Sequence, residues 1–249
     1  SAAWGAAGGA GPRIATRLEF REKGLTWTIS LGNPTAEPIE IGGLAFSCPM
    51  STDYVWDREV TYHQRVIRHA FISGQGSWIY WMRCDATPPL LLLTPLLGTG
   101  LEYFDAVPRK GIASRPYTVY IHSTSEKEVL AEKGTRWRQA LTSVVLAPRG
   151  TPGDSASYGF RLSWADSVED ARRWLVEDGL VDVQAMPGMT VPLDLQARIA
   201  LRSREPIRSV EAEFPRETEL RQLDSTRPGA SIWSLRFRHL GENLLTLRW

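Results

Sequence analysis

The segment RVIRHAFISGQGSWIYWMRC, residues 65–84, decides how this chain is read. Residues at i and i+2 of a strand point the same way, about 6.7 Å apart. After Gly74-Gln75-Gly76, Trp78, Tyr80 and Met82 therefore share one face, and Ile79, Trp81 and Arg83 share the other. Before it, strand periodicity puts His63, Arg65 and His69 on a single face. The glycines supply the positive φ angles that a short connection requires. The segment is predicted to be an antiparallel hairpin in which 65–73 pairs with 77–84.

Outward from the hairpin, the period stays two. Leu25, Trp27, Ile29 and Leu31 point inward between outward Thr26, Thr28 and Ser30, and Gly32-Asn33-Pro34-Thr35 closes that strand. Ile39 and Ile41 begin another strand, Leu90–Leu93 reads as a strand buried on both faces, and 117–121 reads as a further strand. Two short helices interrupt: Ser125-Glu126-Lys127-Glu128 opens one that Gly134 ends, and Ser167-Val168-Glu169-Asp170 opens one that ends near Gly179. The composition of 147–155, Ala-Pro-Arg-Gly-Thr-Pro-Gly-Asp-Ser, reads as a linker, after which alternation restarts through Val191, Leu193, Ile199, Leu201, Trp233 and Leu235. The expected fold is all-β: two packed β-sandwich units, residues 1–150 and 158–249, with two short helices and a boundary within 147–157. Trp27, Trp164 and Trp233 are expected in the cores.

Composition narrows the function. The chain of 249 residues is 43% hydrophobic and 23% charged, as in an ordinary globular protein. A net charge of +1 without a basic stripe argues against nucleic acid as the partner. No apolar run approaches the roughly 20 residues of a membrane-spanning helix. Cys48 and Cys84 have no metal-ligand spacing and read as independent thiols. The small-residue start, 1–11, lacks the basic and apolar regions of a signal peptide, leaving both export and the cytoplasm open. That start, and a final strand ending on Trp249, suggest a piece of a longer polypeptide.

The chemistry-bearing residues cluster around the hairpin. Tyr54, Trp56, Trp78, Tyr80 and Trp81 offer flat rings, and His63, Arg65 and His69 offer donors and a cation. Such a set suits a hydroxylated ring with an apolar face, a saccharide or a uronate whose carboxylate an arginine would hold. His63, Arg65 and His69 can equally be read as an acid–base group or as a polar network tying strands together. Asp53, Asp57 and Glu59, and Glu102 with Asp105, are the available carboxylates, but sequence fixes no separation between them. His63, His69, His122 and His239 form no zinc motif, so neither a metal site nor a cofactor is expected. No nucleophile elbow or phosphate loop occurs, and no catalytic residue is assigned.

A resemblance joins these readings. Trp27–Pro34 followed by Glu37–Gly42, His69–Gly74 leading to Trp78–Trp81, and Leu90–Pro95 followed by Gly98–Tyr103 resemble the N-terminal part of bacterial carbohydrate-active proteins. Pro187–Pro192 and Leu240–Asn243 fit the same layout. In that family, a galactose-mutarotase-like supersandwich precedes an (α/α) six-hairpin toroid. The resemblance implies a β-sandwich portion of a glycoside hydrolase or polysaccharide lyase, with most of the chemistry elsewhere in the polypeptide. The implied partners are an oligosaccharide or polysaccharide, uronate-containing ones included, and the remainder of the chain itself. A non-catalytic carbohydrate-binding or structural module is the alternative, and a mutarotase-like epimerase a third reading.

Overall fold

A computed structural model describes residues 2–4, 11–48, 50, 56–96, 98–105, 118–128, 140–223 and 229–249. The chain divides into two compact units, residues 1–171 and 172–249, both built on strands. The all-β class expected from the alternation is the class observed, with short helices α1 (Arg58–Gln64) and α2 (Val168–Glu177).

The first unit contains β1 (Ala2–Trp4), β2 (Arg13–Arg21), β3 (Gly24–Gly32), β4 (Ile39–Ile41), β5 (Leu44–Ser47) and β6 (Val66–Phe71). It continues with β7 (Trp78–Arg83), β8 (Leu90–Leu96), β9 (Tyr103–Asp105), β10 (Thr118–His122), β11 (Val144–Leu146) and β12 (Ser155–Ala165). Seven strands form one sheet in the order β1-β2-β3-β12-β8-β7-β6. Smaller sheets β5-β10-β9 and β11-β4 contribute to the opposite layer. Between the layers lies one apolar core, drawing Ile29 and Leu31 from β3, Ile79 and Trp81 from β7, Val119 and Ile121 from β10, and Phe160 from β12. At its centre the rings of Phe46 and Phe160 lie 4.9 Å apart and those of Trp27 and Phe46 5.1 Å apart, edge to face, the arrangement that ring quadrupoles favour. Cys48 and Cys84 are free thiols. Burial pushes the Cys48 thiol up to about 12 even though the charge of Arg68 pulls the other way, so it stays protonated.

Three sequence expectations give way. Residues 147–157 are not the unit boundary: 147–154 form a hydrogen-bonded turn, with Ala147 N–H donating to Gly153 O (2.9 Å), Arg149 N–H to Thr35 O (2.8 Å) and Gly150 N–H to Asp154 Oδ2 (2.8 Å). The chain then enters β12, which pairs with β3 on one side and β8 on the other, so the proline and glycine there mark a tight return into the first unit. His63 does not share a strand face with His69. Asp57 accepts the Val60 N–H at 3.1 Å and caps α1, which carries His63, and Arg65 follows as its extended C-cap. Trp164 stays 48% exposed at the end of β12 instead of entering the core. The expected helix from Ser125 opens with a 3-10 turn, Thr124–Glu126, and its further course lies outside the described residues.

Helix α2 matches its sequence signals closely. Ser167 Oγ accepts the Asp170 N–H at 3.0 Å, and at the far end Gly179 takes φ 84° while Leu180 N–H reaches back to Leu175 O at 2.9 Å. The second unit holds β13 (Asp182–Met186), β14 (Ala197–Arg202), β15 (Ser209–Ala212), β16 (Thr218–Leu223), β17 (Ala230–Phe237) and β18 (Leu245–Arg248). Its sheets run β13-β14-β17-β16 and β15-β18 around Ala197, Ile199, Leu201, Val210 and Leu235, with Leu245 and Leu247 packed against that cluster. The buried Asp182 carboxylate receives Arg172 through both oxygens, at 3.0 and 2.8 Å, and Arg202 at 3.4 Å. Two cations compensate its loss of water. No described helix is long and apolar enough to cross a membrane.

The turn at 147–154 is held from across the sheet by Asn33. Its buried amide donates to Glu37 O, Leu146 O and Ala147 O at 2.7, 3.3 and 2.9 Å, and its Oδ1 accepts from Thr35 N–H at 2.8 Å. Asn33→Ala strands several buried backbone groups and should cost about 3 kcal/mol in chemical denaturation. A loss below about 1 kcal/mol would mean that the turn holds without it.

Candidate functional site

Hairpin β6–β7 forms as the sequence reads, in the register His69 to Tyr80 and Phe71 to Trp78. The two faces of β7 differ sharply. Ile79 and Trp81 are buried in the core, Trp81 at 3% exposure, whereas Trp78, Tyr80 and Met82 on the other face are only half-buried. On that outer face the rings form a row. His69 stacks on Tyr80 at 4.6 Å, Tyr80 on Trp78 at 5.5 Å, and Trp78 on Phe71 at 5.8 Å, with interplanar angles of 19–24°. Strand β6 is the sheet edge, which leaves His69 and Phe71 exposed.

The other residues expected at the site scatter. His63 on α1 bonds the Asp85 carboxylate at 2.9 Å and lies 3.3 Å from Glu59. Asp85 also accepts the Thr87 hydroxyl and N–H, and these bonds, with that of His63, hold its carboxyl down at about 2. Arg65 ends α1 with Nε buried and without a partner among the described residues. Trp56 is 91% exposed, Trp81 is core, and Tyr54 lies outside the described residues. Asp57 is used as a cap, and Glu59 sits beside His63 on the surface. The row thus unites His69, Trp78 and Tyr80 and adds Phe71, which sequence reasoning passed over although the i+2 rule from His69 points to it.

A second constellation arises where the turn of the hairpin meets the far end of the sandwich. Gly74 exchanges hydrogen bonds with Leu101 (Gly74 N–H to Leu101 O 3.1 Å, Leu101 N–H to Gly74 O 2.9 Å), and Gln75 Nε2 donates to Gly98 O at 3.1 Å. Gly100 lies so close that an added Cβ would sit 3.1 Å from the Gly74 carbonyl carbon, a contact the Gly74 backbone would have to yield to. These two loops, with Glu102, His122, Ala140, Thr142 and Tyr158, border a cleft of about 330 Å³. Inside it the polar groups are chained. Glu102 accepts from the Ser123 hydroxyl at 2.6 Å, from Thr142 N–H at 2.9 Å and from the Thr142 hydroxyl. His122 Nδ1 lies 2.7 Å from Thr142 Oγ1, and its Nε2 lies 2.8 Å from the Tyr158 hydroxyl.

That chain sets the protons. The Thr142 hydroxyl gives its hydrogen to Glu102, so toward His122 it can only accept, and Nδ1 carries the imidazole proton. Nε2 is then the acceptor for the Tyr158 O–H. Burial pushes the His122 pKa down against the pull of Glu102, while burial and then the Glu102 charge push Tyr158 up. Both rings are therefore neutral near pH 7. Of these groups, the sequence drew attention to Glu102 and His122 singly. Tyr158 carried no signal, because only the pairing of β12 brings it to His122.

Comparison with known proteins places the chain. The profile of a family of unknown function, DUF5695, matches residues 12–249, and the chain belongs to that family. No curated protein matches it significantly. Among solved structures, one described as a polysaccharide lyase is similar over 95% of this chain, with a TM-score of 0.64 and 17% identity. This chain spans about a third of that one (32%), and at such identity the likeness is one of fold.

The depressed His122 pKa has a consequence for stability. Unfolded, the ring takes a proton near the usual value of about 6.5; folded, it does so only at lower pH. Between the two the unfolded state binds more protons, so the stabilisation present above 6.5 is lost as pH falls through that window. An NMR titration should show the His122 ring still neutral below pH 6.5, with unfolding made easier by acid over the same range. A midpoint at or above 6.5 would contradict the proton assignment.

Proposed function

We propose that the first unit of this DUF5695 chain is the sandwich portion of a carbohydrate-processing protein and that the outer row of the β6–β7 hairpin binds saccharide. The observation that carries this reading is the continuous stack of His69, Tyr80, Trp78 and Phe71 on an exposed sheet edge. A pyranose offers C–H groups on one face and hydroxyls at its rim. The ring row meets the first, and His69 with the Tyr80 hydroxyl meets the second. Trp81, buried in the core, is not part of the surface.

The fold likeness to a polysaccharide lyase supports this reading. This chain spans about a third of that one, and under this proposal the bond-breaking chemistry lies outside the residues of this chain, in a toroid that a galactose-mutarotase-like sandwich would precede. A binding-only module is the second reading. It is favoured by the described acidic residues near the hairpin, each of which has a structural partner: Asp57 caps a helix, Glu59 flanks His63, and Asp85 is held by His63 and Thr87.

Two substitutions separate surface from core. Trp81→Ala should cost about 3 to 5 kcal/mol of stability, the range for emptying a core aromatic. Trp78→Ala should leave unfolding nearly unchanged and weaken binding about tenfold in affinity electrophoresis against neutral and uronate-containing polysaccharides. If Trp78→Ala unfolds like Trp81→Ala, or retains full binding across the panel, the row is not a saccharide platform.

A further inference from the structure

We propose that the cleft bordered by Glu102, His122, Thr142 and Tyr158 is a separate ligand site, shaped for a single neutral, hydroxyl-rich ring of monosaccharide size. Its volume of about 330 Å³ lies at the small end of ligand pockets, roughly 300 to 1,000 Å³. Gly74, Gly98 and Gly100 form one wall from backbone alone, which keeps that side open. The lining also presents two rings, Tyr158 and His122, held edge to face at 5.4 Å and 77°.

The proton chain says which hydrogen bonds remain for a ligand. Glu102 already accepts from three donors on Ser123 and Thr142, and both nitrogens of His122 are engaged. The Tyr158 oxygen has donated its hydrogen to Nε2 and keeps an acceptor lone pair, ready for an incoming hydroxyl. Charge decides the class. Among the described residues the lining contains one carboxylate and no lysine or arginine, so there a uronate or phosphate would meet the Glu102 charge without a compensating cation. A neutral polyol ring meets no such penalty. A network that only tied the two layers together would need no open volume beside it.

This site does not depend on the saccharide row. Tyr158 belongs to the same core-facing side of the seven-stranded sheet as Trp81, whereas Trp78 and Tyr80 face the other way. The chain has four histidines, so the His122 ring can be resolved by side-chain ¹H–¹⁵N correlation. Methyl glucoside, methyl galactoside, methyl mannoside and methyl N-acetylglucosaminide would be titrated into the full chain beside glucuronate. At least one neutral glycoside should shift the His122 signals saturably and bind more tightly than glucuronate. Tyr158→Phe should weaken that binding about tenfold, the loss of one hydrogen bond. Ala140→Trp, at the exposed rim, should block it with unfolding unchanged, and decides the matter if Tyr158→Phe fails to fold. Trp78→Ala should leave the titration as it was. No saturable shift with any neutral probe, tighter binding of glucuronate, undiminished binding in Ala140→Trp, or a loss caused by Trp78→Ala would each overturn the proposal.

Discussion

Strand β12 enters the seven-stranded sheet between β3 and β8, and the first unit is arranged around that insertion. Without it, β1-β2-β3 and β8-β7-β6 would be two separate three-stranded ribbons with no shared hydrogen bonds. With it, Phe160 reaches the centre of the core, where no part of it remains exposed, and closes the aromatic cluster begun by Trp27 and Phe46. The same strand carries Tyr158 to His122, so the pairing that completes the sheet also completes the polar chain at its end. A strand this remote in sequence from β3 closes a long loop when it pairs, an entropic cost that the contacts of both its neighbours must offset.

Hairpin β6–β7 shows how one short segment serves three environments. The pleat sends Ile79 and Trp81 inward and Trp78 and Tyr80 outward, so rings of the same kind become core or surface by parity alone. The turn between the strands is no free loop. Gly74 pairs with Leu101, and Gln75 reaches Gly98, so the hairpin is pinned at its tip as well as along β8. That pinning holds the ring row and the cleft wall in a fixed relation through one rigid element, the situation in which a binding surface is best preorganised.

Local periodicity made the hairpin, the face assignment of Trp78 and Trp81, the buried β8 and both ends of α2 legible in the sequence. Each of these depends on neighbours a few residues away. The two-residue period carried back from His69 to His63 misses α1, although Asp57, which caps that helix, is a local signal that outranks it. Residues 147–154 have the composition of a linker, yet the amide of Asn33, supplied by a distant turn, ties them down. Glu102, His122 and Tyr158 come from three separate elements, and no spacing in the sequence relates them.

Glu102 illustrates why a buried carboxylate in this unit is informative. Removing a carboxylate from water is costly unless donors replace the solvent, and here Ser123 and Thr142 supply three. Its charge then acts on its surroundings: it favours a proton on His122 and disfavours ionisation of Tyr158. Burial outweighs the first effect and adds to the second, leaving a neutral imidazole that accepts from a neutral phenol. A strut between two sheets would be served equally well by an apolar contact, which avoids the desolvation of every member. A polar chain that ends on a phenol oxygen at the edge of an open cleft instead presents one oriented acceptor to whatever enters it.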